Sequence, residues 1–262
     1  MMKILRLIYL FLGICCINYS CLAQVEAPTT PPEESPMPMK PEMTEIWEPQ
    51  VEKITPGKKP GDAPSDAIIL FEGDHLDQWV SQNDSTKTVP WAIKDGYFEV
   101  VPGTGGIQTK MKFGDLQIHI EWSAPDKVEN SGQGRGNSGL FLQNRYELQI
   151  LDSYNNRSYS NGQAASIYKD TPPLVNAMRS PDQWNVYDVI YTAPRFRNGK
   201  LDQKARITVL HNGVVVQNNT TIQGLTYYIG LHNYPEAHGE DVIALQDHGT
   251  KVQFRNIWVR RL

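Results

Sequence analysis

The chain has 262 residues and a slight acidic excess, 25 Lys and Arg against 29 Asp and Glu, for a net charge of −4 at pH 7. A mildly acidic chain without basic runs is poorly suited to nucleic acid. Its cysteines (Cys15, Cys16 and Cys21) all lie near the start, so the chain beyond residue 21 has neither a disulfide framework nor thiolate chemistry.

The first residues place Lys3 and Arg6 ahead of an apolar run over 7–17 and end in Cys21-Leu22-Ala23. That order predicts a secretory signal peptide over 1–23, cleaved after Ala23. The run is too short for a membrane span, and no later segment is apolar enough to form one. Asn18 and Tyr19 make a poor lipobox before Cys21, so a soluble exported form, periplasmic or secreted, is expected over a lipoprotein. More than half of the 18 prolines fall between residues 28 and 64. Residues 24–43 read as a Pro-rich disordered tether. Ile46, Trp47, Val51 and Ile54 interrupt that pattern, and predict that 44–65 pack along the domain as an extended arm. Residues 66–262 are one domain by size, with no internal repeat.

Within that domain, alternating apolar and polar residues predict strands at 67–71, 91–93, 97–101, 116–122, 139–143, 146–151, 164–168, 185–191, 206–210, 214–217, 227–231 and 252–259. Asn212-Gly213 is the strongest hairpin signal, since both residues tolerate positive φ. Many short strands at this spacing indicate a two-sheet sandwich or jelly roll, with a barrel as the competing arrangement. Ile118, Trp122, Leu140, Leu148, Val209 and Phe254 are among the expected core residues.

The segment 146–152 carries the most chemistry. Leu148 and Ile150 would face the core, and Glu147 and Gln149 would share the opposite face. A β-bulge near Leu151 would return Asp152 to that face. Three polar groups there would line a cleft, although a solvated strand face gives the same pattern. Gln117, His119 and Glu121 on 116–122 are open to the same two readings. Asn137 precedes a strand after a glycine-rich loop and either aims an amide into the cleft or serves the turn.

Gln246-Asp247-His248-Gly249 places an imidazole between an acid and a flexible residue. Such a group can be held in one tautomer as a base near neutral pH, or can simply cap its own turn. His211 reads as a turn residue and His75 as surface. His232 and His238 would bind a metal only with help from elsewhere, and no standard metal spacing is present. Tyr168 and Trp184 belong to a run of aromatics suited to sugar faces.

Together, NSGLFLQ (137–143), RYELQILDSY (145–154), GQAASIY (162–168), PPLVNAMR (172–179), LHNG (210–213), LQDHG (245–249) and FRNIWVRRL (254–262) resemble the 3-keto-disaccharide hydrolase domain family. The resemblance spans essentially 66–262. It implies an all-β, concanavalin-like jelly-roll sandwich of two curved antiparallel sheets with a ligand groove, similar in architecture to laminarinase-type glucanases. Those enzymes carry two catalytic carboxylates on one bulged strand, where this chain offers Glu147, Gln149 and Asp152.

The family implies cleavage of glycosides or disaccharides oxidised at carbon 3. The ketone acidifies the carbon-2 proton, a base removes it, and the group at carbon 1 leaves, with or without later hydration. On this reading Glu147 or His248 is the base. Asn137, Gln149 and Arg255 orient the sugar or stabilise the enolate, Asp152 positions a partner, and Tyr168, Trp184 and Gln246 contact substrate. A divalent cation as electrophile would take Glu147, Asp152 and His248 as ligands. Two alternatives stand beside it: a conventional glycoside hydrolase acting on unoxidised glucan, and a non-catalytic lectin-like protein.

Overall fold

A computed structural model describes residues 38–262, which divide after Glu52 into two units. The expected signal peptide and the tether as far as residue 37 lie outside the described residues. In the first unit one 3-10 turn, Pro41–Thr44, begins at a proline whose missing N–H has no partner to lose there. Ile46, Trp47 and Val51 are exposed. The segment expected as an arm is thus shared out, with 53–65 belonging to the second unit.

The second unit, Lys53–Leu262, holds the strands β1 (Ile68–Phe71), β2 (Trp79–Ser81), β3 (Ala92–Lys94), β4 (Tyr97–Glu99), β5 (Ile107–Phe113), β6 (Leu116–Ser123), β7 (Ser138–Leu142) and β8 (Tyr146–Ile150). They continue as β9 (Asn185–Thr192), β10 (Arg195–Arg197), β11 (Lys200–Gln203), β12 (Arg206–His211), β13 (Val214–Thr221), β14 (Asp241–Leu245) and β15 (Gln253–Arg261). No α-helix occurs among the described residues. An eight-stranded antiparallel sheet runs β13-β12-β9-β6-β15-β4-β3, with β1 also paired to β15. A five-stranded antiparallel sheet runs β2-β5-β14-β7-β8. The architecture is the expected jelly-roll sandwich.

Alternation decides which side chains go between the sheets. Leu116, Ile118, Ile120 and Trp122 of β6 and Leu140, Leu142, Leu148 and Ile150 of the β7–β8 hairpin are all buried in one apolar core. Each large side chain so buried stabilises the fold by about 1.5–3 kcal/mol. The β12–β13 turn has Asn212 at φ 54° and Gly213 at φ 81°, as a two-residue hairpin loop requires.

Two expected strands are absent. Residues 227–231 hold only bends at 228–230, and 164–168 contribute one bridging residue, Ile167, paired to Leu148 and to Thr171. Ala165 at φ 65° and Lys169 at φ 58° turn this second segment out of an extended path. It still covers the edge of β8: Ala165 N–H donates to Gln149 O (2.9 Å) and Tyr168 N–H to Glu147 O (3.0 Å). Conversely, β2, β5, β14 and the β10–β11 hairpin lie outside the expected strands, although Ile107, Met111 and Phe113 of β5 alternate with Gln108, Lys110 and Lys112.

Candidate active site

The β7–β8 register builds the site. Phe141 is opposite Glu147, and Gly139 is opposite Gln149. Directly opposed residues share a face, so these four lie on the outer side of the five-stranded sheet, away from Leu140 and Leu148. Asn137 extends the row. Gln246, just beyond β14, joins it because its N–H donates to Gly139 O (3.0 Å). With His248, Tyr168, Thr226 and Tyr228 they enclose a cleft of about 290 Å³.

Glu147 is only 5 % exposed and Gln149 1 %. Burial, with no basic partner to offset it, pushes the Glu147 carboxyl up to about 8. Glycine at 139 makes room for that carboxyl: a Cβ there would stand 2.5 Å from Glu147 Oε1. The backbone of Glu147 is fully engaged, its N–H donating to Thr226 Oγ1 at 3.0 Å. Only its side chain is free to change partners.

The His248 loop is fastened to β7 from both sides. Thr250 Oγ1 donates to Asn137 O (2.7 Å), and Ser138 Oγ donates to Gln246 O (2.7 Å). The neighbouring acid does not touch the imidazole. Asp247 instead accepts from Gly249 N–H (2.8 Å) and Gly105 N–H (3.0 Å), which fixes the loop and leaves His248 exposed at the cleft. Gln246 Oε1 is buried without a protein partner, an acceptor left for a ligand hydroxyl. On the opposite rim the Tyr168 and Tyr159 hydroxyls bond at 2.7 Å, and burial pushes the Tyr168 phenol well up, so it stays a protonated donor.

The structure thus gathers Glu147, His248, Asn137, Gln149, Gln246 and Tyr168. It does not gather three other expected residues. There is no bulge at Leu151: β8 ends at Ile150, and Asp152 is buried in an ion pair with Arg135 Nε at 2.6 Å. Arg255 alternates with the core residue Phe254 on β15, so it points from the outer face of the other sheet, bonding Glu121 Oε2 at 2.6 Å. Trp184 packs there too, its ring 4.1 Å from the Arg255 guanidinium.

The ligand set Glu147, Asp152 and His248 is therefore not assembled, and no group of three such side chains that could hold a metal ion occurs among the described residues. The row Gln117, His119 and Glu121 belongs to β6 of the eight-stranded sheet and lines no part of the cleft. His119 stacks on Trp258 and bonds Asp188 Oδ1 at 2.6 Å. His211, the last residue of β12 before the hairpin turn, is buried against Trp122 and Tyr187 and pushed down to about 3 by burial. His232 bonds Leu225 O through Nδ1 (2.9 Å), its Nε2 buried without a described partner, and His238 is spent on Tyr146 OH (2.7 Å) and Gly239 O (3.0 Å). Phe141, Gly139 and Thr226 carry no chemical signal in sequence, and only the hairpin register reveals their place.

A β-sandwich with a half-polar cleft across one sheet, holding one raised carboxyl, one imidazole and three carboxamides, defines a carbohydrate-active protein of glycosyl-hydrolase type. Residues 66–260 match the 3-keto-alpha-glucoside-1,2-lyase-like domain family, and the chain belongs to it. It is 24% identical over 238 residues to a 3-keto-disaccharide hydrolase of Bacteroides thetaiotaomicron, spanning 74% of this chain and 78% of that protein. The crystal structure of a candidate glycosyl hydrolase from Parabacteroides distasonis ATCC 8503 is similar at 49% identity and a TM-score of 0.81, covering 86% of this chain and 97% of that one. A second from the same organism, 20% identical with a TM-score of 0.53 over 75% of this chain and 99% of that one, shares the fold.

Proposed function

We propose that this protein is an exported enzyme that cleaves 3-keto glycosides by elimination across carbons 1 and 2, with water then adding to the unsaturated product. The observation that carries the reading is the inventory of the cleft: Glu147 is the one carboxyl among its described lining residues, beside one imidazole. Ordinary glycosidases need two carboxyls, about 5–5.5 Å apart for retention or about 6.5–9.5 Å apart for inversion. One base and a set of neutral donors suffice when the substrate carries its own ketone.

His248 is the base. Its imidazole takes the proton from carbon 2, and the electron pair moves onto the carbon-3 oxygen as an enolate. Glu147, protonated at neutral pH, donates to that oxygen with help from the Gln149 amide, as a buried neutral acid can. The enolate collapses to a ketone, a double bond forms between carbons 1 and 2, and the bond from carbon 1 to its oxygen breaks. The departing oxygen takes the proton from His248. Water adds at carbon 1 and a proton returns to carbon 2, for net hydrolysis.

Turnover of nitrophenyl 3-keto glucoside, with none of the unoxidised glucoside, is the expected result. Equal turnover of both would select the conventional hydrolase. Saturable binding of both without product would select the lectin. Export follows from the leader pattern over 1–23, and fractionation of expressing cells should find a mature chain beginning at Gln24 outside the cytoplasm.

A further inference from the structure

A second hollow, of about 450 Å³, is lined by Gly249, Thr250 and Lys251 of the loop that carries His248 into the cleft. Val128, Arg135, Asp152, Gly249, Thr250 and Lys251 are among its lining residues. Two of its lining residues are chain neighbours of cleft residues: Gly136 precedes Asn137, and Gly249 follows His248. The bond from Thr250 Oγ1 to Asn137 O, 2.7 Å long, closes the strip between the two. A hollow of about 460 Å³ around Arg195 likewise shares no residue with the cleft, and none of its lining residues is a chain neighbour of a cleft residue.

The chemistry of the second hollow is balanced. Lys127, Arg135 and Lys251 face Asp126, Glu129 and Asp152. Two pairs are already neutralised, Lys127 to Glu129 at 2.7 Å and Arg135 to Asp152 at 2.6 Å. Such a surface offers no net field to an anion. It offers instead donors and acceptors in alternation. Arg135 is the fixed donor: Nε is held by Asp152 and Nη2 by Tyr154 O (2.9 Å), while Nη1 donates to no described residue.

We propose that this hollow is the leaving-group subsite, taking the neutral, hydroxyl-rich sugar released from carbon 1 of a 3-keto disaccharide while the cleft holds the oxidised ring. The proposal rests on the functional reading above. It places the scissile bond over the strip that carries His248, where the imidazolium formed at carbon 2 returns its proton to the departing oxygen. It also accounts for the buried Arg135–Asp152 pair at the wall of a hollow that the elimination chemistry does not itself require.

Two exposed wall positions test it, Val128→Trp to fill the hollow and Lys251→Ala to remove a donor. Substrates are a 3-keto disaccharide and methyl 3-keto glucoside, which has no second sugar. In Val128→Trp, kcat/KM for the disaccharide should fall about tenfold or more while that for the methyl glucoside stays within about twofold. Lys251→Ala should shift the same ratio in the same direction. Equal effects on both substrates, or none on the disaccharide, would overturn the subsite. If the unaltered protein turned over neither substrate, the functional reading would fail and the subsite with it, an outcome distinct from turnover of both substrates with equal effects of the variants.

Discussion

Oε1 of Glu147 lies 3.0 Å from the side-chain amide of Gln149, two residues along the same strand and on the same face. With Nε2 turned inward, the amide donates to the carboxylate and to Ser138 O at 3.1 Å. Ser138 O is an acceptor whatever the proton on Glu147 does, so Nε2 stays inward and the single O–H of the protonated acid is left for the cleft. Below about 8 Glu147 is the protonated acid, the donor of the proposed elimination.

Activity should accordingly fall as pH rises through about 8, because the carboxylate formed there repels an enolate. Glu147→Gln keeps a donor in place. Its kcat/KM should drop about 10- to 100-fold, and the decline near pH 8 should vanish. A rate that climbs through pH 8 in the unaltered protein would make Glu147 the base instead.

The same carboxyl costs stability. Its folded pKa is raised from 4.5 to about 8, so the folded state holds a proton that the unfolded chain has lost, and stability declines as pH rises across that window. Glu147→Gln removes the penalty. Relative to the unaltered protein, it should be nearly neutral at pH 4 and more stable by about 1–3 kcal/mol at pH 8, read from denaturant midpoints.

Gly139→Ala should disable the cleft without unfolding the sheet. The new methyl would meet Glu147 Oε1 at 2.5 Å and the Phe141 ring at 3.0 Å. Displacement of the acid should lower kcat/KM about 100-fold, at a stability cost of about 1–3 kcal/mol. Undiminished kcat/KM in this variant would show that the carboxyl position is unimportant.

On the other sheet, burial alone would push His119 down, but hydrogen bonds to Asp188 and Glu121 outweigh it and hold the imidazole up to about 9. The folded pKa is above the ordinary 6.5, so this contribution is fully present below 6.5 and lost as pH rises through about 9. His119→Gln should cost about 1–3 kcal/mol at pH 6 and less at pH 10, by thermal or urea unfolding. An equal cost at both pH values would refute the charged imidazole.

Alternation made much of the fold legible. Ile118, Trp122, Leu140, Leu148, Val209 and Phe254 were expected inside and are buried, because a period of two leaves one face no choice. The same rule placed Glu147 beside Gln149. It could not say which sheet each strand joins, so Arg255 was grouped with a cleft on the other sheet and the His119 row was left open between that cleft and a solvated face. Asp152 was misplaced for a local reason: Gly136 at φ 55° lets Arg135 reach it, and the strand ends instead of bulging. β14 was missed because its sequence, DVIAL, is a short apolar run without alternation, buried from Val242 to Leu245.

The most direct test follows carbon 2. Incubating the protein with a 3-keto disaccharide in D₂O and recording proton NMR should show deuterium at carbon 2 of the released 3-keto sugar, and His248→Ala should neither exchange that proton nor release product. Cleavage with the original carbon-2 proton fully retained would contradict the elimination account.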